Sequence, residues 1–401
     1  MRIALVSQEY PPETAKGGIG TQTFLKAHGL AALGHQVHVI SRSANGQRLE
    51  RMDGNVSVVR IPGFDARMEV HTEAADWLSY SAEVAAAVAA LHAKAPLDII
   101  DFPEWGAEGY VHLLNRTEWN RIPTVIHLHG PLVMFAHTMG WPEMDSEFYR
   151  TGTAMESACL RLADALFSSS HCSADWCAKH YGLNRERIPV LHTGVDTRLF
   201  SPRAVPKAAR PTIVFAGKLA RNKGVHLLVE AACELAREFT HLHLRLLGRG
   251  EANIITELKA RAESTGFPDL LDVPGFVERA ELPEQFSRAH VFAAPSQYEG
   301  GPGFVYLEAM ACGLPVIACE GSGVADVVRH GETGLLVPPQ NVEALTMALR
   351  ALLGDSSKRQ PMAEHARAFV LAEADSRACI KRLESFYSTV VRGKDAGGLA
   401  A

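Results

Sequence analysis

Short apolar runs alternate along the chain with longer stretches in which apolar residues recur every three or four positions. The first pattern predicts buried strands and the second amphipathic helices. Strands are predicted at Arg2–Ser7, Gln36–Ser41, Asn55–Ile61, Asp98–Asp101, Thr124–His129, Ala165–Ser170 and Ile188–His192, with helices over Thr21–Leu33, Ala74–Ala95 and Tyr149–Ala163. Ser201–Arg210 is polar, holds two prolines and reads as a linker. The alternation then resumes. Strands are expected at Pro211–Ala216, His241–Leu247, Leu271–Val277, Val291–Ala294, Val316–Cys319 and Gly331–Val337. Helices are expected at Val225–Phe239, Leu282–Ala289, Phe304–Cys312, Val342–Leu353, Lys358–Leu371 and Ser376–Val391. Strand–helix alternation of this kind builds α/β domains on parallel, doubly wound sheets.

A chain of 401 residues exceeds one ordinary core and implies two such domains. Apolar residues make up 47% and charged residues 21%, as in ordinary globular proteins, and the net charge of −5 argues against a nucleic-acid binder. The seven cysteines show no CxxC pair and no zinc pattern, so reduced thiols in a cytosolic protein are expected. MRIALVSQEYPP is too short an apolar run for a signal peptide, and no stretch reaches the roughly 18–20 apolar residues of a membrane span. Peripheral membrane contact stays open.

The chemistry concentrates in Tyr298–Val316, YEGGPGFVYLEAMACGLPV. Glu299 opens a glycine-rich loop, Gly300-Gly301-Pro302-Gly303, that runs into a short helix carrying Glu308; Gly313 and Pro315 close it. A helix start behind glycines offers unpaired N–H groups and a positive dipole end to an anionic or polyhydroxylated ligand. Two solvated glutamates on a turn are the plain alternative. The helix FVYLEAMAC is otherwise apolar, however, and a charge inside it demands a partner.

A second loop, Gly217-Lys218-Leu219-Ala220-Arg221-Asn222-Lys223-Gly224, places three cations between a strand end and a helix start. A Lys there costs roughly 0.3–1 kcal/mol against the helix dipole, a cost that a bound polyanion relieves. In the first half, Gly17-Gly18-Ile19-Gly20 precedes a helix, but it lacks the third glycine of GxGxxG. Arg42 also ends the next strand in place of an acidic residue, which at best suits NADP and leaves a dehydrogenase as the weaker reading. Phe102-Pro103-Glu104-Trp105-Gly106 and His129-Gly130 follow strand ends, where ligands bind in open α/β sheets. Alternation along TVIHLH puts His127 and His129 on one face, with His127 read as structural.

These stretches resemble the retaining glycosyltransferases of the GT-B fold, family 4. The match rests on Glu308-Ala309-Met310-Ala311, Gly313 and Pro315-Val316, on Gly217-Lys218-Leu219 with Lys223-Gly224, and on Gly331-Glu332-Thr333-Gly334-Leu335-Leu336-Val337. Thr193-Gly194-Val195-Asp196 followed by Phe200 resembles a further family turn, with Thr193 in place of Asn. One departure stands out: eight residues separate Glu299 from Glu308, where the family has seven, so either the loop bulges or Gly300 takes the usual site.

The resemblance implies two Rossmann-like domains facing across a cleft. Residues 1–200, with a crossing helix at about 376–391, would bind the acceptor, and 211–375 would bind the donor. It implies a hexose moved from a UDP-, GDP- or ADP-sugar to a hydroxyl on a glycan, lipid or small molecule. No cofactor and no metal ion are expected beyond the sugar nucleotide. Catalytic roles would fall to His129, Lys218, Lys223 and Glu299. The donor would be held by Gly18, Lys218, Lys223, Val277, Gly300, Gly301, Gly303, Phe304, Val305 and Glu308. The acceptor would meet Gly17, Glu104 and Trp105. Location would be cytoplasmic, with contact at the inner membrane face open. A glycosidase explains paired carboxylates but not the lysines. A nucleotide-sugar epimerase of this fold and a non-catalytic sugar-nucleotide sensor are the remaining alternatives.

Overall fold

The computed structural model describes residues 1–14, 18–63, 72–267 and 269–395. The chain divides into two compact units, one of Met1–Thr193 with Ser376–Ala401, the other of Gly194–Asp375.

The first unit holds β1 (Arg2–Val6), β2 (Gln36–Arg42), β3 (Leu49–Asp53), β4 (Val56–Ile61), β5 (Ile99–Pro103), β6 (Thr124–Leu128) and β7 (Ala165–Ser168). They form one sheet in the order β3-β4-β2-β1-β5-β6-β7, parallel except for β3. Its helices are α1 (Gly18–Ala32), α2 (Glu73–Lys94), α3 (Tyr110–Leu114), α4 (Leu132–Met139), α5 (Glu147–Leu162) and α6 (His171–Tyr181). Strand alternation splits the core in two. Ile3 and Leu5 point to the α1 face, while Ala4 and Val6 point to the face covered by α2, α5 and α6.

The second unit holds β8 (Thr212–Ala216), β9 (His243–Leu247), β10 (Leu271–Gly275), β11 (Val291–Ala293), β12 (Val316–Cys319) and β13 (Gly334–Val337), all parallel, in the order β10-β9-β8-β11-β12-β13. Around them lie α7 (Val225–Leu235), α8 (Ala252–Glu263), α9 (Leu282–Arg288), α10 (Phe304–Ala311), α11 (Val342–Gly354) and α12 (Ser356–Glu373). The last helix, α13 (Ser376–Asp395), belongs to the first unit. Its Ile380, Leu383, Tyr387 and Val390 form one buried stripe. Each such side chain contributes about 1.5–3 kcal/mol on burial. Gly29 of α1 lets that stripe approach, since a Cβ there would lie 2.7 Å from Ile380.

Several features differ from the expectation. β3 was not foreseen: LERMD is charged and mostly exposed, as suits an antiparallel edge. Ile188–His192 forms no strand, only an isolated bridge from Val190 to Ser168. The segment read as a linker is docked on its own unit. Arg203 and Ala208 donate backbone N–H bonds to Ser287 and Arg288, and Lys207 Nζ bonds Ala289 O at 2.6 Å. The unit boundary falls earlier, at Thr193/Gly194, because Val195 N bonds Ala374 O at 2.9 Å and Thr197 bonds Asp375.

Candidate functional site

In the first unit the order in which strands are added reverses at β1, whose parallel neighbours are β2 and β5. Ligands in open α/β sheets bind outside the strand ends at such a switch point. Gly18 lies there as the first residue of α1, exposed and with open space around it, where a loop was expected. Gly17 lies outside the described residues.

Glu104 and His129 follow β5 and β6. Glu104 is fully buried, and its carboxylate accepts from the backbone N–H of His129 at 2.6 Å, from Gly130 N–H, and from His129 Nδ1 at 3.1 Å. This corrects the acceptor role expected of Glu104: its oxygens are turned inward to hold His129, which is 11% exposed. Two backbone N–H bonds to one carboxylate are strong because the acceptor is charged. Trp105 is half-buried and packs on Trp77 and Phe135 at centroid distances of 5.6 and 4.9 Å.

His127 lies 4.1 Å from His129, ring to ring, and stacks on Phe167. Lys26 Nζ sits 3.2 Å from its Nδ1 and 2.6 Å from Asp101. An ammonium only donates, so Nδ1 accepts and the ring proton sits on Nε2, 2.9 Å from Ser169 Oγ. Burial, then the nearby His129 and Lys26, hold the His127 pKa well below its ordinary value. The ring is a neutral structural support. Gln22, one turn into α1, ties the same layer to Ser169 and Thr193 at 3.2 and 2.7 Å.

In the second unit Gly303 immediately precedes α10 with φ +66°, where a Cβ would lie 2.6 Å from Tyr306. Glycine is required by both facts. Glu308 is the fifth residue of α10, 5% exposed, and accepts from Arg279 Nη2 and Nε at 2.7 and 3.1 Å. Burial raises the Glu308 pKa, while the charge and hydrogen bonds of Arg279 oppose the rise. Arg279 was missed by sequence reasoning. The signal was the demand for a cation near Glu308; nothing in the spacing of 29 residues pointed to this one.

Lys223 and Glu299 meet at 2.6 Å. Lys223 closes a short 3₁₀ turn, Arg221–Lys223, ahead of α7. Glu299 O accepts from Gly323 N at 2.7 Å, and a Cβ on Gly323 would lie 2.6 Å from Gly301 O. Gly323 therefore holds the loop at Glu299 and packs directly against Gly300 and Gly301. Of the three loop cations, Arg221 turns away to bind Glu257 through two bonds of 2.7 Å. Lys218 is exposed and has no ion pair among the described residues. Gly300, Gly301, Phe304 and Val305 are half-buried. Val277 lies beyond the end of β10 and packs against the core. Among the described residues no group of three or more His, Cys, Asp or Glu side chains could hold a metal ion, and no helix is long and apolar enough to cross a membrane.

Each unit is thus a predominantly parallel α/β sheet, one carrying a buried Glu–His pair and the other a glycine loop beside the Lys223–Glu299 pair. Residues 198–369 match the family model for glycosyl transferases group 1, and residues 16–199 match the model for glycosyltransferase family 4. A D-inositol 3-phosphate glycosyltransferase of Catenulispora acidiphila is 30% identical, covering 66% of this chain and 68% of its own. A glycogen synthase of Mycobacterium tuberculosis is 27% identical over 98% of this chain and 96% of its own. Among solved structures, a sucrose-phosphate synthase from Thermosynechococcus elongatus shares the fold with a TM-score of 0.83 at 24% identity, covering 98% of this chain and 99% of that one. The chain belongs to the group 1 glycosyltransferases and is an enzyme of that class, with the GT-B type of α/β fold.

Proposed function

We propose that this enzyme is a retaining hexosyltransferase that takes its sugar from a nucleotide-diphosphate donor and meets the leaving charge without a metal ion. The observation that carries the reading is the Lys223–Glu299 pair, 2.6 Å apart beside the start of α10. A diphosphate placed there takes the Lys223 ammonium from Glu299, with Lys218 as a second cation and the N-terminal N–H groups of α10 as further donors. Glu299, released from its lysine, then accepts hydrogen bonds from hexose hydroxyls. Glu308, fixed by Arg279, accepts from the ribose hydroxyls.

In the transfer, the bond from the anomeric carbon to the diphosphate oxygen breaks and a bond from that carbon to the acceptor oxygen forms on the same face. The acceptor proton passes to the departing diphosphate, so charge and atoms balance. Charge-assisted bonds of about 1.5–3 kcal/mol each stabilise the diphosphate as its charge grows. His129, in the first unit, is held in one orientation by Glu104.

Thermal shift with UDP, GDP and ADP, each with and without EDTA, tests the reading. A nucleotide at a hundredfold its Kd adds about 2.7 kcal/mol. One of the three is expected to raise Tm whether or not EDTA is present, and Lys223→Ala is expected to abolish the rise. No rise with any of them, or a rise that EDTA removes, refutes it.

A further inference from the structure

Two histidines with no part in the transfer chemistry meet where α4 and α6 end. His137 lies in the last turn of α4 and His180 in the last turn of α6, and Gly140 and Gly182 close the two helices. The last carbonyls of a helix carry the negative end of its dipole and favour a cation. The two imidazole centroids are 5.1 Å apart. Trp176, one turn before His180, stacks on it at 4.6 Å with the planes 7° apart, and lies 5.6 Å from His137. One indole thus backs both imidazoles.

Both histidines are exposed, and among the described residues neither ring makes a hydrogen bond or an ion pair. A single exposed histidine needs no partner beyond water. Two at this spacing match a chelate. Metal–nitrogen bonds of about 2.0–2.1 Å and angles of about 90–110° at the ion put two ligating ring centres roughly 4.5–5.2 Å apart. An imidazole ligates when neutral. Burial, then His137 and Lys179, hold the His180 pKa below its ordinary value, so this ring is neutral at pH 7.

We propose that His137 and His180 chelate one divalent late first-row transition ion, with water completing its coordination. Imidazole suits Zn2+, Cu2+ and Ni2+, whereas Mg2+ and Ca2+ take oxygen ligands. The Lys179 ammonium, next to His180 in sequence, opposes a cation and keeps the site weak. The ion joins two helices that frame His129: α4 begins three residues after it, and Ser173 of α6 donates its hydroxyl to His129 O at 3.2 Å. Its role is to fasten the end of α4 to the end of α6, not to act on the sugar. The inference stands on these residues and does not need the transferase reading.

The test titrates the full chain, carrying no added histidine tag, with NiCl2 at pH 7, following tryptophan fluorescence and calorimetric heat. Ni2+ is expected to bind saturably at one ion per chain and to quench, with recovery on adding EDTA. His137→Asn and His180→Asn are each expected to weaken binding by at least roughly tenfold, because either one turns a two-point chelate into a single contact. Trp176→Phe keeps a ring against His180, so it should keep the heat of binding and lose most of the quench. MgCl2 at the same concentrations should give neither signal. Absent or unsaturable binding, an affinity unchanged in either histidine variant, a quench that persists in Trp176→Phe, or an equal response to MgCl2 overturns the proposal. Any of these failures leaves the nucleotide thermal shift, and with it the transferase reading, untouched.

Discussion

Removing Arg279 isolates a carboxylate that is 5% exposed at the heart of the glycine-loop helix. Arg279→Met keeps the length of the side chain and deletes both hydrogen bonds to Glu308. Breaking a buried pair from one side commonly costs about 3–5 kcal/mol. Two features of this pair lower that figure. A third of the Arg279 side chain is exposed, so water screens part of the attraction. Glu308 can also protonate instead of staying charged, which caps the loss at about 1.36 kcal/mol for each pH unit above its ordinary value of 4.5. The cap is about 3 kcal/mol at pH 7 and under about 1 kcal/mol at pH 5. For a unit of this size, 1 kcal/mol moves Tm by about 2–4 °C. Scanning fluorimetry of unliganded Arg279→Met should therefore show Tm lowered by about 5–10 °C at pH 7 and by about 2 °C or less at pH 5. Adding Glu308→Gln to the variant should recover most of the loss at pH 7, because no charge is then left to isolate. An equal loss at both pH values, or no recovery in the double variant, would falsify the account of Glu308 as a charge held by Arg279.

Three further outcomes follow from the geometry. Gly323→Ala puts a methyl group 2.6 Å from Gly301 O and 2.8 Å from Gly300 O, so the glycine loop must shift; calorimetric titration of the nucleotide diphosphate should show affinity reduced on the order of tenfold, about 1–3 kcal/mol of overpacking being available, and unchanged affinity would show that the loop does not hold the donor. Glu104→Gln replaces the charged acceptor of three bonds with an amide; losing about 1.5 kcal/mol of charge assistance should lower kcat roughly tenfold with little change in the donor KM, and a change confined to KM would count against its role in orienting His129. Glu108 is fully buried, and burial pushes its carboxyl up to about 8 despite a bond from Gln8 N–H. The folded chain thus keeps a proton that the unfolded chain gives up near 4.5. That stability is full at low pH and is lost as pH rises through about 8. Urea midpoints of wild type should fall between pH 5 and 9 more steeply than those of Glu108→Gln, and parallel profiles would remove Glu108 as the cause.

Much of the fold was legible because it is written in local periods. The buried strands RIALV, TVIHL and TIVFA, and the α13 stripe of Ile380, Leu383, Tyr387 and Val390, each announce the face they bury. β3 was illegible for the same reason: an exposed, charged edge strand carries no such period, and only its pairing with β4 makes it a strand. The segment Ser201–Arg210 reads as a linker from its polar residues and two prolines. What docks it is a set of bonds to α9, roughly eighty residues away in sequence, that composition does not encode.

At the site the division is sharper. A glutamate in an apolar helix can be read as needing a cation, so the existence of a partner for Glu308 was legible while its identity as Arg279 was not. The loop cations could be counted, but not apportioned: Arg221 goes to Glu257, Lys223 to Glu299, and Lys218 stays exposed. Glu104 shows why type and position alone mislead. A carboxylate after a strand end reads as facing a ligand, yet its burial turns it into the support of His129. Chemistry-bearing residues are therefore best sorted by what they must satisfy. A buried charge obliges a partner: Glu104 is committed to His129 and Glu308 to Arg279, Lys223 is paired with Glu299, and Lys218 stays exposed with no ion pair among the described residues.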